Sequence, residues 1–69
     1  MATGKVNFYD DTRGFGFITP SSGGKDIFFH VKELKSSGVE FVDKGQPVSY
    51  ETKEDQGRIA ATNIRILMP

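Results

Sequence analysis

Glycine and proline divide this chain into short segments, and none of these segments carries the pattern of a stable helix. Eight glycines and three prolines are spread over 69 residues, and the stretches between them lack a sustained 3.6-residue apolar period. Several of them are rich in β-branched and aromatic residues, which favour strands. A chain of this length has room for one domain. We therefore expect residues 1–69 to form a single all-β domain.

Five strands are predicted from apolar and polar alternation between clusters of turn-forming residues. They are Lys5–Tyr9, Gly14–Thr19, Asp26–Val31, Pro47–Thr52 and Arg58–Leu67. The last strand loses strict alternation between Ala61 and Ile64, which indicates a bulge or bend near Thr62. A longer connection follows the third strand and begins with a single helical turn at Val31–Leu34. This arrangement predicts a five-stranded antiparallel barrel of the OB type, whose closure leaves no strand edge open.

Composition excludes several kinds of protein. The hydrophobic fraction of 36% is enough for a folded core. Nine basic residues balance nine acidic ones, whereas a duplex-DNA binder usually has a basic excess. With no cysteine and one histidine, the chain cannot form disulfides or build a zinc site. The sequence shows neither a signal peptide nor a long apolar segment, so we expect a cytoplasmic protein without a membrane partner.

The most informative segment reads Arg13-Gly14-Phe15-Gly16-Phe17-Ile18. Side chains alternate along a strand, so Phe15 and Phe17 share one face while both glycines and Ile18 share the other. Glycines inside a strand indicate that another group approaches closely or that the sheet bends sharply. Because Ile18 already supplies an apolar side chain for the core, we expect both rings to face solvent.

The third strand repeats this arrangement. Phe28 and His30 fall on one face, and Ile27, Phe29 and Val31 fall on the other. The second set is the better core, so Phe28 and His30 should face outward. If the second and third strands are neighbours, these two side chains extend the surface that carries the first two rings.

A row of exposed rings on a small domain marks an interaction surface. Phe8 and Tyr9 are consecutive, so an ideal strand turns only one of them outward, and we expect Phe8 to join the row. Lys5, Arg13 and Lys25 lie near the ends of the same strands. Rings flanked by cations suit unpaired bases, each of which contributes about 1–3 kcal/mol by stacking. Single-stranded nucleic acid can therefore bind without a large net positive charge.

The two aromatic segments resemble the ribonucleoprotein motifs of the cold-shock proteins, OB-fold binders of single-stranded RNA and DNA, with Arg13 in place of the usual lysine. Gly4-Lys5-Val6 and Gly45-Gln46 extend the resemblance over nearly the whole chain. The resemblance implies an RNA chaperone for pyrimidine-rich strands, acting in a cold-shock or stress response and in regulation of transcription or translation. It implies stacking by Phe8, Phe15, Phe17, Phe28 and His30, and polar contacts from Arg13, Lys25 and Asp26.

The sequence also departs from the usual pattern of that family. Asn7-Phe8-Tyr9-Asp10 stands where the family usually has Lys-Trp-Phe-Asn, so a basic contact is lost and a carboxylate is gained. Val31 and Val39 replace aromatic residues, and Phe41 is a candidate substitute for the second. The segment around Arg58 is one residue longer. We expect these differences to affect the outer binding subsites more than the central one.

Three other nucleotide-binding motifs do not fit the chain. Gly14-Phe15-Gly16 lacks the third glycine of a dinucleotide fingerprint, because Thr19 occupies that position and no helix follows. Gly24-Lys25 is followed by Asp26 instead of the serine or threonine of a P-loop. An RNA-recognition motif needs an aromatic residue at the position of Pro20 and two helices.

Catalysis is not expected either. The paired carboxylates Asp10-Asp11 and Glu54-Asp55 lie in predicted turns, without an apolar pocket to raise a pKa. No nucleophile stands beside a base in a known motif, and nothing predicts a cofactor or a small-molecule substrate. The alternative that stays open is a protein-interaction module whose aromatic stripe binds a peptide or a partner protein.

Overall fold

The computed structural model describes residues 2–36, 38, 39 and 42–67. Within these ranges the chain forms five strands and one short helix. The elements are β1 (Ala2–Asp10), β2 (Phe15–Pro20), β3 (Ile27–His30), α1 (Val31–Ser36), β4 (Pro47–Asp55) and β5 (Arg58–Ile66). Each lies where the sequence predicted a strand or a helical turn. The main differences are that β1 begins earlier and that β4 and α1 extend further.

The strands close into a barrel in the order β1-β2-β3-β5-β4, which confirms the predicted OB-type barrel. Four neighbouring pairs are antiparallel, and the pair of β3 and β5 is parallel. The description of the barrel as antiparallel therefore needs one correction. Strand directions cannot alternate all the way around a ring of five, so at least one pair must be parallel. The β3–β5 pair carries this mismatch, and its register consists of Phe28 opposite Ala60.

The core lies inside the barrel and draws on every strand. Its buried hydrophobic side chains are Val6, Ile18, Phe29, Leu34, Val42, Val48, Tyr50, Ala61 and Ile64. Leu34 comes from α1 and Val42 from the connection to β4, so these segments also contribute to the interior. Ile18 and Phe29 face inward, as the alternation predicted.

Gly16 is required by the way this core packs. A Cβ placed on Gly16 would come within 2.5 Å of Phe29 Cζ and of the Phe8 carbonyl oxygen. The close approach predicted for the glycine motif is therefore made by the protein's own core ring and by the neighbouring strand. Gly14 meets a different requirement, because its φ of 81° lies in the left-handed region that glycine adopts without steric cost.

Two irregularities interrupt the strand pairings. Along β4 and β5 the register jumps from Ser49 opposite Arg65 to Glu51 opposite Thr62, and Asn63 has a φ of 50°. This confirms the bulge predicted near Thr62. The second irregularity was not predicted: Val6 pairs with Ile18 and Phe8 pairs with Phe17, so Asn7 is the extra residue of a bulge in β1.

Two features are missing from the described residues. No helix among them is long and apolar enough to cross a membrane. No group of three or more metal-ligating side chains occurs in the same part of the chain.

Candidate nucleic-acid interface

Four phenylalanine rings form one cluster on the outer face of β1, β2 and β3, which we call the ring cluster: Phe8, Phe15, Phe17 and Phe28. The Phe15 centroid lies 5.9 Å from those of Phe8 and Phe28, and 6.1 Å from that of Phe17. The Phe17 centroid lies 6.3 Å from that of Phe8 and 5.9 Å from that of Phe28. The four rings therefore form a compact rhombus and not the row that the sequence suggested.

Strand register and the β1 bulge bring these rings together. Phe17 lies opposite Phe28 between β2 and β3, and opposite Phe8 between β1 and β2. Regular alternation from the buried Val6 would have turned Phe8 inward, but the extra residue Asn7 turns it outward. Tyr9 then faces the interior, where it stacks on Phe29 at 5.9 Å. The prediction that Phe8 rather than Tyr9 joins the surface is therefore confirmed, with the bulge as its cause.

The ring cluster is open to solvent. Phe8 and Phe28 are 44% and 38% exposed, while Phe15 and Phe17 are half-buried, and none of the four belongs to the buried core. Their planes are inclined to one another by 43–80°, so they meet mainly edge to face, a favourable geometry for aromatic pairs. Exposed ring surface thus remains for planar ligands.

His30 lies beside the ring cluster at the start of α1. It is exposed, and its backbone is opposite Phe15. Its Nδ1 atom accepts a hydrogen bond of 3.2 Å from the backbone N–H of Lys32, so the side chain caps the first turn of the helix. An accepting Nδ1 places the hydrogen of the neutral ring on Nε2. The free edge of His30 is therefore a hydrogen-bond donor.

Asp26 is held in place by two side chains that the sequence analysis did not assign to the site. Asn7 Nδ2 donates to Asp26 Oδ2 at 2.7 Å, and Thr19 Oγ1 donates to Asp26 Oδ1 at 2.8 Å. Each oxygen of a carboxylate can accept more than one hydrogen bond, so an oriented acceptor remains for a ligand N–H group. In the sequence Asn7 is only a lost basic contact, and its position beside Asp26 follows from the bulge.

The two predicted cationic contacts differ in their surroundings. Lys25 is exposed in the connection between β2 and β3. The Arg13 side chain is 76% exposed, and its Nε atom lies 3.7 Å from Asp10 Oδ2. Asp10 Oδ1 accepts hydrogen bonds from the backbone N–H groups of Thr12 and Arg13 at 3.0 and 3.1 Å. The added carboxylate thus stabilises the turn and partly neutralises Arg13.

The remaining departures from the family pattern add no ring to the described part of the site. Val31 is half-buried and lies near Gly14, while Val39 packs against the core. Neither valine offers a ring for stacking. Phe41, the candidate substitute, lies outside the described residues. Ile59, which lies within the predicted last strand, is 53% exposed.

Among the ionisable side chains that the structure describes, Glu33, Tyr50 and Tyr9 have shifted pKa values, and all three lie outside the ring cluster. A hydrogen bond from the Thr62 hydroxyl lowers the pKa of Glu33, and Lys53, at 3.2 Å, lowers it further. Burial raises the pKa of Tyr50, while burial followed by the nearby charge of Asp11 raises that of Tyr9. The lowered pKa of Glu33 favours its ionised form, and the raised pKa values of both tyrosines favour their protonated forms.

Comparison with known proteins agrees with this geometry. Residues 2–67 match the family of the 'Cold-shock' DNA-binding domain. The chain is 40% identical over 67 residues to the cold shock-like protein CspA of Bordetella pertussis, covering 97% of this chain and 100% of that protein. It is 39% identical over 67 residues to a probable cold shock protein of Sinorhizobium fredii, covering 94% of this chain and 97% of that one.

A solved structure shows the same fold. Drosophila Unr CSD456 aligns with 99% of this chain with a TM-score of 0.80 and 26% sequence identity, although the chain spans only 27% of that larger structure. Cold-shock domains bind single-stranded nucleic acid and are not enzymes. With its closed five-stranded barrel, its exposed ring cluster and these relatives, the chain belongs to the cold-shock domain family.

Proposed function

We propose that this protein is an RNA chaperone that binds unpaired RNA and DNA strands on the ring cluster. The observation that carries the proposal is the exposure of four phenylalanine rings, about 6 Å apart, on one face of the barrel. Bases offer flat faces for such rings, and each stacked base contributes about 1–3 kcal/mol. Duplex DNA keeps its bases stacked inside the helix, so the same surface discriminates against it.

Polar groups around the rings complement the rest of a nucleotide. Arg13 and Lys25 are exposed cations suited to backbone phosphates. The oriented carboxylate of Asp26 can accept a hydrogen bond from a base N–H group, and His30 Nε2 can donate one to a base acceptor or a phosphate. We propose stacking roles for the four rings and His30, and polar roles for Arg13, Lys25 and Asp26.

Chaperone activity follows from binding by mass action. A domain that binds only unpaired strands shifts RNA hairpins toward the open form, without a need for ATP. We also propose a preference for pyrimidine-rich strands. On stacking surfaces, modest preferences of this kind come from stacking strength and backbone flexibility, and not from hydrogen bonds to base edges. Family membership supports action in the cytoplasm, in a cold-shock or stress response and in regulation of transcription or translation.

A titration with labelled oligonucleotides tests the proposal. The chain has no tryptophan, so binding is best followed by fluorescence anisotropy of a labelled oligothymidylate, an oligouridylate and a duplex. We expect the single strands to bind and the duplex to bind far more weakly. Phe15→Ala or Phe28→Ala should each cost about 1–3 kcal/mol, whereas Phe28→Tyr, which keeps a flat ring, should retain binding.

Three results would contradict this function. Equal affinity for single strand and duplex would show that the rings do not select unpaired bases. Indifference of binding to both alanine substitutions would show that the ligand lies elsewhere. If no oligonucleotide binds and a specific protein is retained instead, the ring cluster serves as a peptide-docking or protein-docking surface, the alternative that the sequence leaves open.

A further inference from the structure

Glu33 attaches α1 to the barrel through side chains on two different strands. Thr62 Oγ1 on β5 donates a hydrogen bond to Glu33 Oε1, and Lys53 Nζ on β4 donates one to Glu33 Oε2 at 3.2 Å. Both carboxylate oxygens are therefore held by the barrel. The Glu33 side chain is 13% exposed, so these partners also compensate for the water that it has lost. We call Glu33, Thr62 and Lys53 the helix anchor.

The position of α1 depends on such contacts. The helix is six residues long, and a helix this short is not stable by itself. Leu34 is buried in the core, which attaches α1 at one point, and the adjacent Glu33 adds a directional attachment to β4 and β5. The hydrogen bond from Thr62 is also the largest cause of the lowered pKa of Glu33, so the anchor favours the ionised carboxylate.

His30 depends in turn on α1. It immediately precedes the helix, and its Nδ1 atom accepts the 3.2 Å hydrogen bond from the Lys32 backbone N–H. Lys32 is the residue before Glu33, so the group that holds the imidazole belongs to the turn that the anchor fixes. Since His30 is exposed, loss of this hydrogen bond would restore rotamer freedom to its side chain.

The helix anchor also adjoins the ring cluster. A hollow of about 120 Å³ is lined by Phe28 and His30 together with Glu33 and Lys53. A carboxylate at the edge of a surface for polyanions opposes binding by charge repulsion. Any favourable contribution of Glu33 to binding must therefore come through the side chains that it holds in place.

We propose that Glu33 is a positioning residue for single-strand binding: with Thr62 and Lys53 it fixes α1, and α1 holds the His30 ring in place for a base. A ring that is ordered before the ligand arrives binds more tightly, because less rotational freedom is lost on binding. This proposal rests on the proposed function, since it acts through the contact of His30 with the bound strand.

Thr62→Val is the variant that tests the anchor. It removes the hydroxyl donor without changing the net charge, and valine also favours strands. Thr62→Ser keeps the hydroxyl and serves as the rescue variant. Thr3→Val is the matched control, because Thr3 is an exposed threonine on β1 whose hydroxyl donates to Ser21 Oγ at 3.2 Å. Affinities for labelled octathymidylate are measured by anisotropy at a temperature where circular dichroism shows every variant to be folded.

The same titration is repeated with Thr62→Val in a His30→Ala background. Thr62→Val should weaken binding about threefold when His30 is present, and less than about 1.5-fold when His30 is absent, because residues that act through one another are not additive. Thr62→Ser should restore binding, and Thr3→Val should leave it unchanged. Equal losses in both backgrounds, no loss with His30 present, no restoration by serine, or the same loss from Thr3→Val would overturn the proposal.

Nuclear magnetic resonance of the unliganded chain gives a readout that a general loss of stability would not produce. With Nδ1 as the acceptor, the neutral His30 ring carries its hydrogen on Nε2. Thr62→Val should increase the share of the other tautomer in the ¹⁵N spectrum of the ring, and should accelerate hydrogen exchange at the Lys32 amide more than at the amides of the barrel. An unchanged tautomer, or faster exchange that is uniform along the chain, would overturn the positioning role.

The outcomes separate this inference from the proposed function. Failure of the wild-type chain to bind octathymidylate would contradict the function itself. Binding that Phe15→Ala weakens and Thr62→Val does not would remove only the role of Glu33.

Discussion

Asp10 should limit the affinity of this protein for single strands, because it lies beside Arg13 and weakens the contact that we propose for this cation with a backbone phosphate. Its Oδ2 atom is 3.7 Å from Arg13 Nε. Two unit charges at that distance interact by about 1 kcal/mol in water. Since the Arg13 side chain is 76% exposed, screening by salt reduces the interaction to about 0.5–1 kcal/mol. Asp10→Asn should therefore strengthen oligonucleotide binding about twofold to fivefold at low salt.

Salt dependence gives a second, independent readout of the same substitution. Each phosphate contact on a single strand contributes a slope of about −0.7 in log K against log salt. If Asp10→Asn frees Arg13 for a phosphate, the slope should become steeper by up to about 0.7. Anisotropy titrations with octathymidylate from 25 to 400 mM KCl, a range of about a factor of 16, would resolve that change. Asparagine keeps an Oδ1 acceptor for the Thr12 and Arg13 backbone N–H groups, so thermal stability should change little.

Asp11→Asn is the matched control, because it removes the same formal charge from the neighbouring residue. The Asp11 side chain accepts a 3.5 Å hydrogen bond from Thr12 Oγ1. If affinity depends only on net charge, the two variants will behave alike, and the explanation through Arg13 is refuted. The same conclusion follows if Asp10→Asn still tightens binding after Arg13 has been changed to glutamine.

Three further predictions concern stability and affinity. Gly16→Ala should lower the free energy of unfolding by about 3 kcal/mol in a urea titration, because its Cβ would meet the Phe29 ring and the Phe8 carbonyl oxygen at 2.5 Å; a loss below about 1 kcal/mol would show that these groups can move aside. Glu33→Gln should cost about 1 kcal/mol at neutral pH. Because the hydrogen bond from Thr62 lowers the pKa of Glu33 below its ordinary value of 4.5, this contribution is complete above about that pH and disappears as pH falls through the lowered pKa. A cost that persists at pH 2 would contradict this origin. Phe8→Trp should tighten oligothymidylate binding about twofold to threefold by enlarging the stacking surface, and weaker binding would contradict a stacking role for Phe8.

Local alternation was sufficient to predict much of the fold and of the exposed surface. The inward positions of Ile18 and Phe29 and the outward positions of Phe28 and His30 follow from a period of two within single strands. The irregularity near Thr62 was also visible in the sequence, because the apolar positions there change phase. These features depend on neighbouring residues along the chain, so they can be deduced without knowledge of strand order.

The features that were missed depend on which strands meet. Asn7 and Asp26 are 19 residues apart and make contact only because β1, β2 and β3 are neighbours. The parallel pairing of β3 with β5 is a property of the closed ring, and the exposure of Ile59 follows from where that pairing ends. The bulge at Asn7 was not predicted, because it shows only in the register of β1 against β2.

The bulge in β1 changes how many functional groups a narrow sheet can display. A regular strand presents one side chain to a given surface for every two residues, or roughly every 6.6–6.8 Å. Here Asn7 and Phe8 are consecutive and both face outward. A single strand therefore presents an amide and a ring over a length that usually presents one side chain. One inserted residue thus places two chemically different groups side by side on a small barrel, and the sheet needs neither a longer strand nor an additional one.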